Sequence, residues 1–338
     1  MSPPDNNPAA VAPAVACVGL LVADTVGTPI DALPRRGTLE IIDRIELHTG
    51  GNGANTSASL AKLGMPVALL GKVGQDNFGD FMVGSLASRG VNVAGVRRDE
   101  TAGTAATMVV VHSDAERTFL HVPGANATLA ESDIAWDAIV GARIFHIAGL
   151  QLLSALEGEP LARVLAEAKR HGMITTLDTV MNPRSLGWAG LAPALPHLDW
   201  AVPSFEEAAQ LTGETKALRQ ARKLQEAGAR NVAIKMGANG CLVVPETDKP
   251  FHVAALPNVQ AIDALGAGDA WAAGWLAGLL HDWPLGKTAR FANAVGACCV
   301  ESLGATTGVR SLDETLARME AATGQSGRRA ASSDVSEF

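Results

Sequence analysis

Apolar residues along the chain fall into two patterns that take turns. Short apolar runs, "AVACVGLLV" (14–22), "PVALLGKV" (66–73), "ARIFHIAG" (142–149), "GMITTLD" (172–178), "LDWAVP" (198–203), "NVAIKMG" (231–237) and "GCLVVP" (240–245), read as strands buried on both faces. Between them, apolar positions recurring every three or four residues predict helices over 53–63, 77–89, 131–140, 159–170, 215–227, 269–281, 286–303 and 311–322. That order implies an α/β fold, a mostly parallel central sheet covered by helices on both faces. One region departs from it. "TLEIIDRIEL" (38–47) and the pair "TAATMVVVHS" and "ERTFLHVPG", joined by Asp114 and Ala115, predict antiparallel strands with no helix between them. They form a small β lid, expected at about 34–49 and 103–125. The termini, 1–12 and 323–338, are polar or Pro/Ala-rich and expected to be disordered, which leaves 13–322 as the folded body.

Composition narrows the class of function. A chain of 338 residues, 47% hydrophobic and 18% charged, buries a large core. The net charge of −8, with Lys and Arg scattered, provides no basic stripe to track a phosphate backbone, so no nucleic-acid partner is expected. No apolar run reaches the eighteen or so residues of a membrane span. The run near the N-terminus has no Lys or Arg before it and ends in Asp24, so it reads as a first strand, Val15 to Val22, and not as a signal peptide. Cys17, Cys241, Cys298 and Cys299 show no C-x-x-C spacing and suit reduced thiols in a cytoplasm. Metabolite chemistry is the expectation.

Two glycine turns carry the candidate chemistry. In "AIDALGAGDAWAAGWLAGLL" (261–280), Gly266, Ala267 and Gly268 open an apolar helix, so unpaired N–H groups and the positive end of the helix dipole face outward and small residues let an anion approach. Asp269 would repel a phosphate held there, unless it faces an attacking hydroxyl and takes its proton. In "HTGGNGANTSASLAKLG" (48–64), a second turn opens a helix, and Asn52 and Asn55 offer amides that bind hydroxyls as donors and acceptors. Each pattern alone also serves as an ordinary capped helix start. A dinucleotide-binding dehydrogenase is disfavoured because "CVGLLVADT" has no Gly-x-Gly-x-x-Gly, and a Walker NTPase because "HDWPLGKT" has His281 where the first glycine belongs. A non-catalytic sugar-binding protein leaves the complete "GAGD" turn unexplained.

Together, "GGNGANTSASLAKLG" and "DALGAGDAWAAG" resemble the two signatures of the ribokinase-like (PfkB) family of sugar and nucleoside kinases, and the match in element order runs from about 15 to 320. "GKVGQDNFGDFMVGSLASRGV", "DTVMNPR", "VPSFEEAAQLTG" and "IKMGANGCLV" resemble the stretches between. The resemblance implies a three-layer α/β/α fold with a small β lid and ATP- and Mg²⁺-dependent phosphoryl transfer to a primary hydroxyl. It implies Asp269 as general base and Gly266, Ala267 and Gly268 as anion hole. It places the substrate against Asp24, Gly51, Asn52 and Asn55, and the nucleotide against Lys235, Gly237, Gly240 and Asn293. For Asn293 a helix-packing role stands equally open. Asp24 is expected to end the first strand and accept hydroxyls. Asp269, at a helix N-terminus, is expected to have a low pKa.

Three departures qualify the pattern. "SFEE" (204–207) keeps the acid, Glu207, of an Asn-x-x-Glu magnesium network but replaces its amide with Ser204. Ala264 replaces a threonine, though Asp263 could still help hold a monovalent cation such as K⁺. Asn52 stands where members acting on phosphorylated sugars carry Lys, which favours a neutral sugar or a nucleoside. His48, Arg117, His121 and "PGAN" (123–126) are expected to close over the acceptor, and the lid's outer face to serve a homodimer contact.

Overall fold

The computed structural model describes residues 12–114, 116–325 and 335. Most of the termini read as disordered, and Ala115 of the lid turn, therefore lie outside the described residues.

The chain begins with β1 (Val15–Gly19), β2 (Val22–Thr28) and β3 (Arg44–Gly50), then α1 (Asn52–Lys62), β4 (Val67–Gly74), α2 (Asn77–Ser88) and β5 (Asn92–Asp99). A hairpin of β6 (Ala106–Val111) and β7 (Arg117–Val122) precedes β8 (Ile144–Ala148), α3 (Glu159–Arg170), β9 (Ile174–Leu177), the short α4 (Trp188–Leu191) and β10 (Trp200–Ala201). Next come α5 (Phe205–Thr212), α6 (Ala217–Glu226), β11 (Asn231–Lys235), β12 (Cys241–Val244) and β13 (Phe251–Val253), and α7 (Ala267–Leu280), α8 (Leu285–Val300) and α9 (Leu312–Gln325) close the chain.

Nine strands form the large sheet in the order β13-β12-β11-β10-β9-β8-β1-β4-β5, parallel except where β12 pairs with β11 and β13. The period-2 alternation of its strands builds a core on each face. Ala16, Val18, Phe145 and Ile147 pack with Leu161, Val164 and Leu165 of α3 and with Ala221 and Leu224 of α6. Val15, Cys17 and Ile144 point the other way, to Ala54 and Ala58 of α1 and Ala270, Ala273 and Ala277 of α7. Alanines on both facing helices let α1 and α7 approach closely, which brings their N-termini together. Helix α7 is apolar all round and buried from Asp269 to Gly278, as expected of a helix with neighbours on every side.

The lid is a separate four-stranded sheet ordered β3-β2-β6-β7. Its β2–β6 pair is parallel, unlike the expected all-antiparallel arrangement, and β2 was not foreseen as a lid strand. Asp24 accordingly lies inside β2 of the lid and does not end the first strand of the large sheet. Residues 34–43 carry no strand, so only 44–49 of the first expected lid segment is sheet.

Three further expectations change. The segment 131–140 forms two single 3₁₀ turns, Glu131–Asp133 and Trp136–Ile139, because its buried residues Ile134 and Ile139 are five apart, a spacing that one helical face does not supply. Helix α9 extends to Gln325, into the stretch read as tail. The last predicted helix but one ends at Val300, not 303. Among the described residues no helix is long and apolar enough to cross a membrane.

Candidate active site

Ligands of open α/β sheets gather outside the carboxyl ends of the strands, and the residues there converge on the start of α7. Gly266, at φ +73°, caps this helix, and a Cβ added to it would lie 2.2 Å from the Ala305 carbonyl oxygen. Only glycine fits that bend. The Ala267 N–H has a long bond, 3.3 Å, to the Ala264 carbonyl, and the N–H groups of Gly268 and Asp269 have no backbone acceptor among the described residues. Those donors are the open first turn of a fourteen-residue helix and can hold an anion.

Asp269 is 6% exposed. Its two oxygens accept from Asn52 Nδ2 at 2.8 Å and Asn55 Nδ2 at 2.9 Å. The two asparagines sit three apart on one face of α1, which is what allows both to reach one carboxylate. Gly149, at φ +82°, leaves the passage for Asn52, since a Cβ there would lie 2.7 Å from Asn52 Oδ1. Burial pushes the Asp269 carboxyl up to about 6, against the pull of Asn55, Asn52 and Lys235. The direction is opposite to the low pKa expected from the helix dipole, because burial outweighs both amides and the Lys235 charge. The result suits a proton acceptor better than a low pKa would.

Lys235, at the end of β11, places its Nζ 2.6 Å from both Asp178 oxygens. A Cβ added to Gly268 would lie 3.5 Å from that Nζ, so the ammonium stands beside the anion turn. Burial works against the Lys235 charge, but Asp178, Glu207 and Asp269 together hold its pKa above the ordinary value. Asp178, just past β9 and 2% exposed, is a site residue that motif reading did not single out. Its signals were its place at the end of the buried run "GMITTLD" and at the start of "DTVMNPR".

The remaining sequence candidates separate into those the fold brings to the site and those it commits elsewhere. Gly51, at φ +93°, caps α1 beside Asn52. Asp24 carries a carboxyl that burial raises to about 6 against a hydrogen bond from Thr107, and it faces His48 across β3. Gly237 and Gly240 form the turn between β11 and β12, both with positive φ, beside a cavity of about 240 Å³ lined by Phe205, Lys216, Met236 and Asn239.

Asn293 turns inward: its Oδ1 accepts from Trp271 Nε1 at 2.8 Å and its Nδ2 donates to the carbonyls of Val253 and Ala254. Its amide joins α8, α7 and β13, as the packing alternative expects. Asp263, expected to help hold a monovalent cation, is engaged within the protein. Its oxygens face Arg117 Nη1 and Nη2, each at 2.9 Å, and accept the N–H groups of Leu265 and Gly304. A guanidinium and two amides therefore surround that carboxylate.

Glu207 Oε2 accepts from the Ser204 backbone N–H and from the Thr179 hydroxyl, while Ser204 Oγ accepts the Glu207 N–H. This capping box starts α5. Glu207 also borders a cleft of about 210 Å³ with Gln151, Asn182 and Gln210. Among the described residues no group of three or more His, Cys, Asp or Glu could cage a metal ion. Of the residues expected to close over the acceptor, Asn126 bonds the Leu21 backbone through both ends of its amide, and the exposed His48 meets Glu46 at 2.9 Å.

Comparison with known proteins gives the family and the fold. The family model described as pfkB family carbohydrate kinase matches residues 12–312. Fructokinase-2 of Oryza sativa is 30% identical over 275 residues, 76% of this chain and 80% of its own length. The structure of Arabidopsis thaliana ribokinase complexed with ribose and ATP superposes with a TM-score of 0.79 at 24% identity, over 91% of this chain and 99% of that one. An Escherichia coli protein assigned as a ribokinase II, in complex with ATP and Mg²⁺, gives a TM-score of 0.78 at 22% identity, over 91% and 99%.

Proposed function

The chain belongs to the pfkB family of carbohydrate kinases and is a sugar kinase, and from that premise we propose that it transfers the γ-phosphoryl group of ATP to a primary hydroxyl of a neutral sugar, with Asp269 as the base. The observation that carries this reading is the meeting of a buried carboxylate, two unpaired helix N–H groups and the Lys235 ammonium at the start of α7.

The acceptor hydroxyl lies against Asp269 while Asp24, Gly51, Asn52 and Asn55 hold the sugar. As its oxygen bonds to the γ-phosphorus, its proton passes to Asp269, the bond to the β–γ bridging oxygen breaks, and ADP leaves with that electron pair. The Gly266, Ala267 and Gly268 turn and Lys235 face the charge spread over the transferring group. A loose transition state needs little prior deprotonation, so positioning carries most of the rate. The "MGANG" turn and the cavity beside it support a nucleotide-side role for Gly237 and Gly240.

ATP fits the donors present, because an anion turn backed by an ammonium is what a phosphate chain requires. Mg²⁺ fits as an ion that arrives on the phosphates, since it keeps several waters and needs only one or two carboxylates. Glu207, at the edge of its cleft, is the carboxylate we assign to it. When bound, Mg²⁺ supplies charge neutralisation across the phosphates.

Asn52 in the first signature favours a neutral acceptor. The test is ATP consumption with Mg²⁺ across neutral ketoses, aldoses, sugar acids and nucleosides. Turnover with a neutral sugar supports the reading; a nucleoside acceptor alone would move the protein to the other branch of the family. ATP binding without turnover on any acceptor would sink it.

A further inference from the structure

Arg117 and Asp263 are 146 residues apart in sequence and form a bidentate pair, 2.9 Å at both contacts. The Asp263 side chain is 4% exposed and that of Arg117 26%, so the pair is largely shielded from water. Asp263 also accepts from the N–H of Leu265 at 3.0 Å and of Gly304 at 2.8 Å. One carboxylate therefore ties together the lid, the approach to the anion turn and the loop after α8. That loop is the one whose Ala305 presses on Gly266.

The lid's pleat connects this pair to the sugar. Asp24, Thr107 and His121 lie in one row across β2, β6 and β7. Strand side chains alternate faces, so Arg117, four residues before His121 on β7, is on the same face as that row, about 13 Å along the strand. Thr107 hydrogen-bonds both Asp24 and His121, at 3.1 Å for the latter. One face of one small sheet thus carries both a sugar-binding carboxylate and the guanidinium that grips the approach to the anion turn.

We propose that Arg117 is a positioning residue that latches the seated lid to the Asp263–Gly268 segment, so that the anion turn takes its working shape only when the lid is down over the acceptor. The proposal deepens the kinase reading and rests on it for its consequence, which is exclusion of water from the transferring group. A lid that can lift while the turn stays formed lets water compete with the sugar hydroxyl. A planar two-pronged guanidinium fixes orientation as well as distance, which a lysine ammonium does not.

The experiment compares the wild type with Arg117→Lys, Arg117→Ala and Asp263→Asn. Two quantities are read: ATP hydrolysed per sugar phosphate formed, and amide hydrogen exchange over 117–122 and 263–268. We expect Arg117→Ala to lower kcat about tenfold or more through lost positioning. The excess of ATP hydrolysed over sugar phosphate should rise, with Arg117→Lys between it and the wild type. Exchange over 263–268 should speed up in Arg117→Ala, and exchange over 117–122 in Asp263→Asn. A folded Arg117→Ala enzyme that keeps its kcat and one ATP per sugar phosphate would overturn the latch. So would a variant that merely melts earlier, with the coupling ratio and the exchange of the opposite segment unchanged. If the wild type phosphorylates no acceptor, the kinase reading fails alone, and the reciprocal exchange measurement still decides whether lid and turn are coupled.

Discussion

Truncating Asn55 to alanine should move the pH profile of the enzyme, and the structure sets the size of the move. The Asn55 amide donates to Asp269 Oδ2 at 2.9 Å inside a buried site, and burial already holds the Asp269 carboxyl at about 6. A hydrogen bond to a charged group contributes about 1.5–3 kcal/mol, and each pKa unit corresponds to about 1.4 kcal/mol, so its loss raises the carboxyl by about one to two units. The limb of kcat/KM that reports ionisation of the free enzyme should then shift from about 6 to about 7–8. At pH 6.5 about three quarters of wild-type sites carry the carboxylate, against about a tenth in a variant shifted by 1.5 units, a loss of about eightfold that fades by pH 9. The assay is kcat/KM for the acceptor between pH 5 and 9.5 in constant-ionic-strength buffers. A limb that stays in place, or a loss equal at every pH, would refute the assignment of Asn55 as the partner that keeps the base ionised.

Other consequences follow from the same geometry. Because the folded-state pKa of Asp269 lies above its ordinary value of 3.8, the ionised form destabilises the fold above about pH 6, and this penalty disappears as pH falls to 3.8. Asp269→Asn should therefore stabilise the protein at pH 8 by up to about 3 kcal/mol more than at pH 4, read by denaturant melts at both pH values; an equal effect at both would contradict the burial argument. Asn293→Ala should cost about 2–4 kcal/mol of stability through three lost hydrogen bonds, while KM for ATP changes less than about threefold. A tenfold rise in that KM without destabilisation would restore the nucleotide contact. The lid's outer face exposes Met108 (59%) and Leu120 (54%), and light scattering at micromolar concentration should give a dimer that Met108→Asp converts to a monomer; a wild-type monomer would end the lid-dimer proposal.

Much of this fold is legible as periodicity. The seven apolar runs and most of the helices coincide with observed elements because buried parallel strands and amphipathic helices leave distinct patterns. The elements that escaped are those whose surroundings, and not their own residues, decide their state. Strand β2, "VADTVGT", has polar residues on a lid face that meets the site, and β5, "NVAGVRRD", is a polar edge strand. Helix α5 is only eight residues long and depends on the Ser204–Glu207 capping box.

The site divides in the same way. The anion turn could be read because glycines and an acid at a helix start have a local physical meaning. The Asn52–Asp269 and Asn55–Asp269 contacts could not, since their partners are 217 and 214 residues apart. Neither could the elevated pKa of Asp269, which comes from packing around α7. Nor could the partners of Asp263 and Asn293, since nothing local reveals that Arg117 meets the first and that Trp271 and two backbone carbonyls meet the second.

The central claim is that the Asp269 carboxylate takes the acceptor's proton beside the anion turn. Its most direct test is single-turnover and steady-state phosphorylation of the best neutral sugar by the wild type, Asp269→Asn and Asp269→Ala, with folding checked by melts. The account predicts kcat lower by about two to four powers of ten in both variants, with KM for ATP and sugar little changed. Near-normal turnover in a folded Asp269→Ala enzyme would contradict it.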